Sequence, residues 1–232
     1  ATFAKCDQNW KPIVSTSQTI EVDTICLGYG FVPSVDLTRL AGCQHRFEVH
    51  LGGWVPERDA TMMTSETHVY SVGDGSGVAG SVVAGLEGRI AGIAAAQSFG
   101  YLSQKAAELL QNPFLKALRK LNRFRRYLDE MSSPRSGLYE LANDETLICR
   151  CEEINLGTIK KTIKEEAPTN INELKRSTRA GMGHCQHKMC GHVIQEIMAA
   201  QLRVSSSEIG ALRPRPPIKP VPLGIFENQE ML

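Results

Sequence analysis

The sequence lacks the features that would place it in several broad classes of protein. Its 232 residues contain no run of about 18 uncharged apolar residues, the length that a membrane-spanning helix needs. A secretory signal is not expected, since the first residues show neither its charged region nor its apolar region. Lys and Arg number 26 and Asp and Glu 25, so a net charge of +1 predicts neither nucleic acid nor an acidic substrate as partner. The composition also excludes collagen, coiled coils and global disorder.

A disulfide framework is excluded as well. The seven cysteines are an odd number, and without a secretory signal the reducing cytosol is the expected compartment. Three are scattered singly through the first fifth of the chain: Cys6, Cys26 and Cys43. We expect each of them to be buried as a small hydrophobic residue. The other four form two close pairs with the spacing C-x-C-x33-C-x4-C: Cys149, Cys151, Cys185 and Cys190. Two thiol pairs in a cytosolic protein indicate a metal site more often than a crosslink.

Four thiolates suit either a structural Zn²⁺ or a 2Fe–2S cluster. Zinc ligands usually lie about two to four residues apart, so the single residue between Cys149 and Cys151 favours two thiolates on one iron of a binuclear centre. Glycines before Cys185 allow backbone N–H groups to approach sulfur. Zinc and a site without metal remain alternatives. Three histidines flank the second pair: His184, His187 and His192. Any of them could replace a thiolate as ligand, although exposed positions on a helix are the preferred interpretation.

A glycine-rich turn gives a second chemical signal. Residues 69–72 are predicted to form a strand that stops at Gly73-Asp74, and a helix is predicted from Val78 to about Ser98. Between them, Gly75-Ser-Gly77-Val-Ala-Gly80 is a literal G-x-G-x-x-G. A Rossmann unit needs a second strand ending in an acid about 20 residues later, and those positions are predicted to be helical. The simple dinucleotide fingerprint therefore fails.

The same turn fits a late FAD-contact motif better. In such a motif a strand ends in Gly-Asp, and the carboxylate, here Asp74, binds a ribitol hydroxyl. The small residues that follow, including Gly75 and Gly80, open a helix whose positive end faces phosphate or flavin. An ordinary Asp-Gly turn that caps a core helix is the alternative.

Other elements of the first half are predicted from residue type and spacing. Strands are expected at 20–27 and 46–49, with a short helix at 35–41. A helix near 103–111 is expected to stop at Asn112-Pro113. The stretch 114–126 is predicted to be a surface helix. It carries six cations: Lys116, Arg119, Lys120, Arg123, Arg125 and Arg126. They permit weak attraction to anionic lipid at the inner membrane, although a solvated face or a contact with another subunit is the preferred interpretation.

The second half is predicted to begin at the Ser/Pro/Gly-rich stretch 132–137. Asn155 is a good N-cap for a short helix. Two further helices are expected, one near 172–179 and one from about Cys185 to Leu202. Five prolines in 204–222 predict an extended tail.

Two segments carry a specific family resemblance. Ile148-Cys149-Arg-Cys151-Glu-Glu153 and Arg179-Ala-Gly-Met-Gly-His-Cys185-Gln-His-Lys-Met-Cys190 resemble the bacterioferritin-associated-ferredoxin-like 2Fe–2S domain fused to FAD-dependent oxidoreductases. Residues 23–37 and 69–75 resemble the closing segments of the flavoprotein half. Together, nearly the whole chain resembles the flavin/iron–sulfur subunit of opine oxidases, hydrogen cyanide synthase and hydroxyproline or proline dehydrogenases. That family's first G-x-G-x-x-G unit is missing here, so the chain resembles the C-terminal half alone.

The resemblance implies an α/β fold: the C-terminal part of a two-dinucleotide-binding-domain flavoprotein, followed by a small, mainly α-helical iron–sulfur domain. The implied divisions are 1–131 for the FAD/NAD(P)-binding-type part with a helical extension, 132–147 for a linker, 148–203 for the 2Fe–2S domain and 204–232 for a Pro-rich extended tail.

The resemblance also implies a function. Cys149, Cys151, Cys185 and Cys190 match the cluster ligands, and Gly73 and Asp74 match the flavin-contact motif. FAD would be shared with an N-terminal FAD-binding half or chain. Substrate oxidation is expected on a separate amine-oxidising flavoprotein subunit, so no catalytic acid or base is assigned here. The implied role is electron transfer in an FAD-dependent amine dehydrogenase acting on an opine, proline, hydroxyproline or glycine. A zinc-stabilised interaction module on a non-catalytic nucleotide-binding scaffold is the alternative.

Overall fold

The computed structural model describes residues 1–226. Up to Ser132 the chain forms two antiparallel strand pairs and three helices: β1 (Thr2–Phe3), β2 (Gln18–Thr19), α1 (Asp36–Leu40), β3 (His45–Glu48), β4 (Gly53–Pro56), α2 (Ser81–Ser98) and α3 (Gln104–Ser132). The remainder forms a third strand pair and five helices: α4 (Ser136–Tyr139), β5 (Leu147–Cys149), β6 (Ile154–Asn155), α5 (Leu156–Glu166), α6 (Ile171–Thr178), α7 (Gly191–Leu202) and α8 (Ser206–Ile209).

The hairpin of β3 and β4 is the best-formed sheet of the first half. Its register runs from His45 opposite Pro56 to Glu48 opposite Gly53. Gly52 turns the chain with φ of 89°, a left-handed conformation that glycine adopts without a Cβ clash. The predictions of a strand at 46–49 and of a helix at 35–41 are confirmed to within a residue or two.

Two other predicted strands of the first half do not form. Residues 20–27 are exposed and make no ladder with any described strand, so their β-branched side chains have no sheet to pack against. Residues 69–72 make only an isolated bridge, between Tyr70 and Met63. Among the lone cysteines only Cys43 is buried, whereas Cys6 and Cys26 are exposed, contrary to expectation.

Helix α3 does not stop at Pro113 but passes through it. A proline inside a helix removes one hydrogen bond and crowds the preceding turn. Packing outweighs this cost, because Leu118 is buried in a core with Ile90 of α2, and Phe114 and Leu121 pack against the same core. The predicted break at Pro113 is therefore wrong, and the continuous helix α3 packs against α2.

The second half is organised around one hydrophobic core. Six large aliphatic side chains of this core, each 0% or 1% exposed, come from α5, α6, α7 and α8: Ile159, Ile171, Leu174, Ile194, Met198 and Ile209. Asn155 caps α5 as predicted, since its side chain accepts a hydrogen bond from the Thr158 N–H at 2.9 Å. The helix predicted from Cys185 begins only at Gly191, because Gln186 and His187 have positive φ angles of 51° and 58°.

The start of the predicted tail is part of this core. Ser205 and Glu208 form a capping box at α8, so Ser206–Ile209 is helical rather than extended. Ile209 and Leu212 are 0% and 4% exposed, which ties the chain after α7 to the other helices. The last part of the tail prediction, 227–232, lies outside the described residues.

The described chain is a mixed helix-and-sheet protein. Between residues 1 and 226 the sheets are three two-stranded antiparallel pairs, and a parallel sheet of the kind that a complete dinucleotide-binding domain contains does not occur there. Across the same range, none of the helices has the length and apolar character needed to cross a membrane.

Candidate iron–sulfur and nucleotide sites

The four paired cysteines lie on two loops at one end of the second half. Cys149 ends β5, and Cys190 immediately precedes α7. Both are 1% exposed, whereas Cys151 and Cys185 are half-buried. Burial raises the pKa of the Cys190 thiol above its usual range, and the neighbouring thiols of Cys149 and Cys185 raise this pKa further. The fold therefore brings residues from both pairs together.

Two glycines allow the cysteine loops to approach one another. A Cβ built on Gly183 would lie 2.2 Å from the Cβ of Cys151, so no other residue fits there without a shift of the backbone. Gly181 has φ of 86°, and its N–H donates a hydrogen bond to the Cys149 sulfur at 3.4 Å. The expectation that glycines let backbone N–H groups reach sulfur is confirmed at Gly181.

The flanking histidines take three different positions. His184 is exposed, with Nε2 at 3.8 Å from the Cys151 sulfur. His187 lies in the loop between Cys185 and Cys190, and its Nε2 is 3.5 Å from Asp36 of α1. His192 lies on α7, with Nε2 at 3.4 Å from the Tyr139 hydroxyl. The interpretation of all three as exposed helix residues is wrong: His184 is exposed but lies in a turn, His187 is partly buried in a turn, and His192 is helical but partly buried.

The four thiols provide the donor set for a possible metal centre. In the part of the chain that the structure describes, no group of three or more His, Cys, Asp or Glu side chains, the paired cysteines included, is arranged to hold a metal ion. A 2Fe–2S cluster distributes four thiolates over two irons. Such a cluster fits the four thiols as a donor set. It also fits the Gly181 N–H that donates to the Cys149 sulfur and the space left by the missing side chain of Gly183.

The Gly73-Asp74 turn precedes α2, as the sequence predicts. Gly73–Ser76 is a single 3₁₀ turn, and Asp74 is exposed with one carboxylate oxygen accepting a hydrogen bond from the Ala79 N–H at 3.2 Å. Gly80 is the N-cap of α2 with φ of 85°. Gly75 lies inside the turn, where an added Cβ would be 3.5 Å from the Ser34 carbonyl oxygen. The four predicted contact residues therefore lie together at the N-terminal end of an 18-residue helix.

A buried ion pair supports this turn, and the sequence reasoning did not assign it. Glu87 of α2 accepts hydrogen bonds from both terminal nitrogens of Arg58, at 2.6 and 3.0 Å. It also accepts one from the Gly73 N–H at 2.8 Å. Arg58 donates in addition to the Ser71 carbonyl at 2.9 Å. The signal in the sequence was Glu87 itself, an acid in a helix with almost no other charge.

A cavity of about 620 Å³ lies between the two sites. On one side its lining includes Leu51 and Val78, next to the glycine turn. On the other side it includes Ile148 and His192, next to the cysteines. Its volume falls in the range of about 300–1,000 Å³ that is common for ligand pockets.

One of the six cations of the predicted basic surface is already engaged. Arg125 of α3 pairs with Asp129 at 3.0 Å and donates to the Val78 carbonyl. It therefore attaches α3 to the glycine turn rather than facing a lipid surface.

The segment that carries the cysteines matches a known protein family. Residues 147–200 match the family of the BFD-like [2Fe-2S] binding domain, a range that contains all four paired cysteines. This segment is a member of that family. The resemblance seen in the cysteine motifs is confirmed, and the BFD-like domain gives the chain a 2Fe–2S cluster as cofactor.

Relatives extend the match beyond the BFD-like domain. The chain is 38% identical over 206 residues to an opine oxidase subunit from Rhizobium meliloti, covering 89% of this chain and 39% of that protein. It is 32% identical over 228 residues to the HcnB subunit of hydrogen cyanide synthase from Pseudomonas aeruginosa, covering 98% and 48%. A 64-residue match, 41% identical, links it to a glycerol 3-phosphate dehydrogenase of Caloramator mitchellensis. The chain thus spans less than half the length of these relatives, which are named as an oxidase subunit, a synthase subunit and a dehydrogenase.

Proposed function

We propose that this chain is an electron-transfer part of an FAD-dependent amine dehydrogenase or oxidase. In this proposal Cys149, Cys151, Cys185 and Cys190 hold the 2Fe–2S cluster. The observation that carries the proposal is that the BFD-like domain contains these four thiols on two loops in contact. The opine oxidase and hydrogen cyanide synthase relatives support the oxidoreductase class.

The residues around the sulfurs have defined roles in this proposal. A bound 2Fe–2S cluster accepts and releases one electron at a time. The Gly181 N–H places the positive end of an amide dipole at the Cys149 sulfur, which stabilises negative charge there. Gly183 keeps Cys151 within reach of the second loop. The packed helices α5, α6 and α7 fix both loops, so reduction requires little rearrangement.

The flavin part of the proposal rests on the glycine turn. Gly73, Asp74, Gly75 and Gly80 would contact FAD, with the free oxygen of Asp74 accepting from a sugar hydroxyl and the start of α2 facing phosphate or the flavin ring. The relatives are more than twice as long as the matched region. We therefore assign the rest of the FAD site to an N-terminal FAD-binding half or chain.

The proposed partner is an amine-oxidising flavoprotein subunit, with an opine, proline, hydroxyproline or glycine as substrate class. Both principal relatives are named as subunits, which supports an assembly of unlike chains. The proposed location is the cytoplasm, with weak contact to the inner membrane as a lesser role for the basic stretch 114–126. The division at 132–147 is proposed as the linker between the two halves.

Iron analysis, absorption and EPR of the purified assembly test the cluster. Wild type is expected to be brown, to bleach with dithionite and then to give an EPR signal. Cys151→Ser should lose iron and destabilise the BFD-like domain, since metal binding and folding are coupled in small sites. Cys26→Ser, at an exposed cysteine outside the domain, is the matched control. Unchanged iron in Cys151→Ser, or a colourless protein with bound zinc, would contradict the proposal.

A second variant tests the flavin contact separately. Asp74→Ala should lower flavin occupancy of the assembly and leave iron unchanged, because Asp74 lies outside the BFD-like domain. Asp144→Ala is the control, an exposed acid that pairs with Lys160 at 2.7 Å. Equal flavin occupancy in Asp74→Ala and wild type would refute the assignment of the Gly73-Asp74 turn.

A further inference from the structure

A buried acid of the first half contacts the second cysteine loop, the segment from Cys185 to Cys190. Asp36 is the first residue of α1, and its side chain is 8% exposed. One of its carboxylate oxygens lies 3.5 Å from Nε2 of His187, and the other forms an ion pair with Nζ of Lys188. Within residues 1–226, no other acid pairs with a side chain of this loop. The two halves therefore meet at a charged contact in the loop that carries two of the proposed cluster ligands.

The backbone of the second cysteine loop needs support from its surroundings. Gln186 and His187 have positive φ angles of 51° and 58°, which residues with a Cβ rarely adopt. Such conformations persist where neighbouring groups hold them in place. Within the loop's own half, the His187 side chain packs against Gly191, where an added Cβ would lie 3.4 Å from the Cδ2 of His187. Asp36 supplies the contact from the first half.

Asp36 and Lys188 also place opposite charges at the loop. The Lys188 N–H donates a hydrogen bond to the Cys185 carbonyl at 3.3 Å, so this lysine belongs to the same turn as a proposed ligand. Reduction of a bound cluster adds one negative charge, which a nearby cation favours and a nearby anion opposes. Salt screens partly buried charges only weakly. The ion pair therefore balances two opposing influences on the reduced state.

We propose that Asp36 is a positioning residue for the cluster, which holds the second cysteine loop through His187 and balances the charge of Lys188. Asp36 touches neither a cysteine nor the Gly73-Asp74 turn, and it acts only through these two neighbours. The first half thus helps to set the reduction potential of a cluster whose ligands all lie in the second half. The effect on the potential rests on the proposed function, whereas the hold on the loop does not.

Limited digestion with trypsin tests the hold on the loop without reference to a redox centre. Trypsin cleaves after lysine, and the ion pair with Asp36 withholds the Lys188 side chain from the protease. Asp36→Asn keeps the shape of the side chain and loses its charge. Cleavage after Lys188 should become about ten-fold faster, because proteolysis follows the population of the open loop. The control is Asp144→Asn, which removes an exposed acid paired with Lys160 and should leave this rate unchanged.

Redox titration of the purified assembly, followed by EPR, tests the charge. A unit charge about 10 Å from a one-electron centre, at an effective dielectric constant of about 20, changes the ratio of reduced to oxidised form about ten-fold, or about 59 mV. Asp36→Asn should raise the potential by about this amount, and Lys188→Met should lower it. The double variant removes both charges and should return close to the wild-type potential. Asp36→Glu, which keeps the charge, and Asp144→Asn should also stay close to it.

Failure of the proposed function is distinguishable from failure of the positioning role. A wild-type assembly without a 2Fe–2S signal would contradict the proposed function, and the trypsin comparison would still decide whether Asp36 holds the loop. If Asp36→Asn does not retain iron, retained iron in Asp36→Glu and a lowered potential in Lys188→Met support the role. Unchanged potentials in Asp36→Asn and Lys188→Met, or shifts of the same sign in both, would overturn the proposal. Unchanged cleavage after Lys188 in Asp36→Asn would overturn it as well.

Discussion

Removal of the Glu87 carboxylate is expected to destabilise the first half strongly. Its side chain is 6% exposed and that of Arg58 is 19% exposed. Breaking a buried pair by removing one partner costs about 3–5 kcal/mol, since the other charge stays buried. Arg58 retains some contact with water, so the low end, about 3 kcal/mol, applies to this part.

The backbone adds a second contribution. Glu87→Ala also leaves the buried Gly73 N–H without its acceptor, which costs about 1 kcal/mol or more. The sum is about 4 kcal/mol, and a chain of this size loses about 2–4 °C of Tm per kcal/mol. We therefore expect Tm to fall by about 10 °C. Glu87→Gln, which still offers an oxygen to Gly73, should lose about half as much.

Thermal unfolding followed by circular dichroism is the assay, with flavin content of the assembly as a second measurement. Glu140→Ala, which removes an exposed partner of Lys11, is the control and should leave Tm close to that of wild type. The double variant Arg58→Met/Glu87→Leu should regain most of the stability, since apolar residues can replace a buried pair. It should not regain flavin, because Gly73 still lacks its acceptor. A Glu87→Ala protein within about 1 kcal/mol of wild type would refute this reasoning.

Three further predictions concern the second half. Gly183→Ala should lose iron together with stability, because its Cβ would collide with Cys151; normal iron content would show that the loops can separate at no cost. Ile209→Ala should cost about 2–5 kcal/mol in urea unfolding, and a value below about 1 kcal/mol would mean that α8 does not belong to the core. Burial raises the pKa of Tyr139 to about 12. Between about pH 10 and pH 12 the unfolded chain releases the Tyr139 proton while the folded chain retains it, so the free energy of unfolding falls as pH rises through this range. Tyr139→Phe should flatten this fall, as measured by denaturation at a series of pH values.

Local sequence signals predicted the second half well. The N-cap at Asn155 and the approximate span of α6 follow from side chains that satisfy the first N–H groups of a helix within a few residues. The α7 start could not be predicted in this way. Gln186 and His187 adopt left-handed backbone conformations that residue type disfavours, and the packing of the cysteine loop holds them there.

Non-local packing explains the errors in the first half. Pro113 ordinarily ends a helix, but α3 gains more from packing Leu118 against α2 than it loses in one hydrogen bond. Residues 20–27 have the composition of a strand, yet a strand requires a neighbour with which to pair, and the described residues provide none. Propensity alone contains neither piece of information.

The sequence by itself determined the chemistry of this protein: four thiols at a spacing typical of a binuclear cluster, and a Gly-Asp turn before a helix. Residue type and short spacing are enough for such signals, because they act through covalent neighbours. Only the tertiary structure decided which distant groups meet. Glu87 lies 14 residues from Gly73 and 29 from Arg58 along the chain. These contacts form because burial forces each charged or polar group to find a partner, and the fold alone determines which partner is within reach.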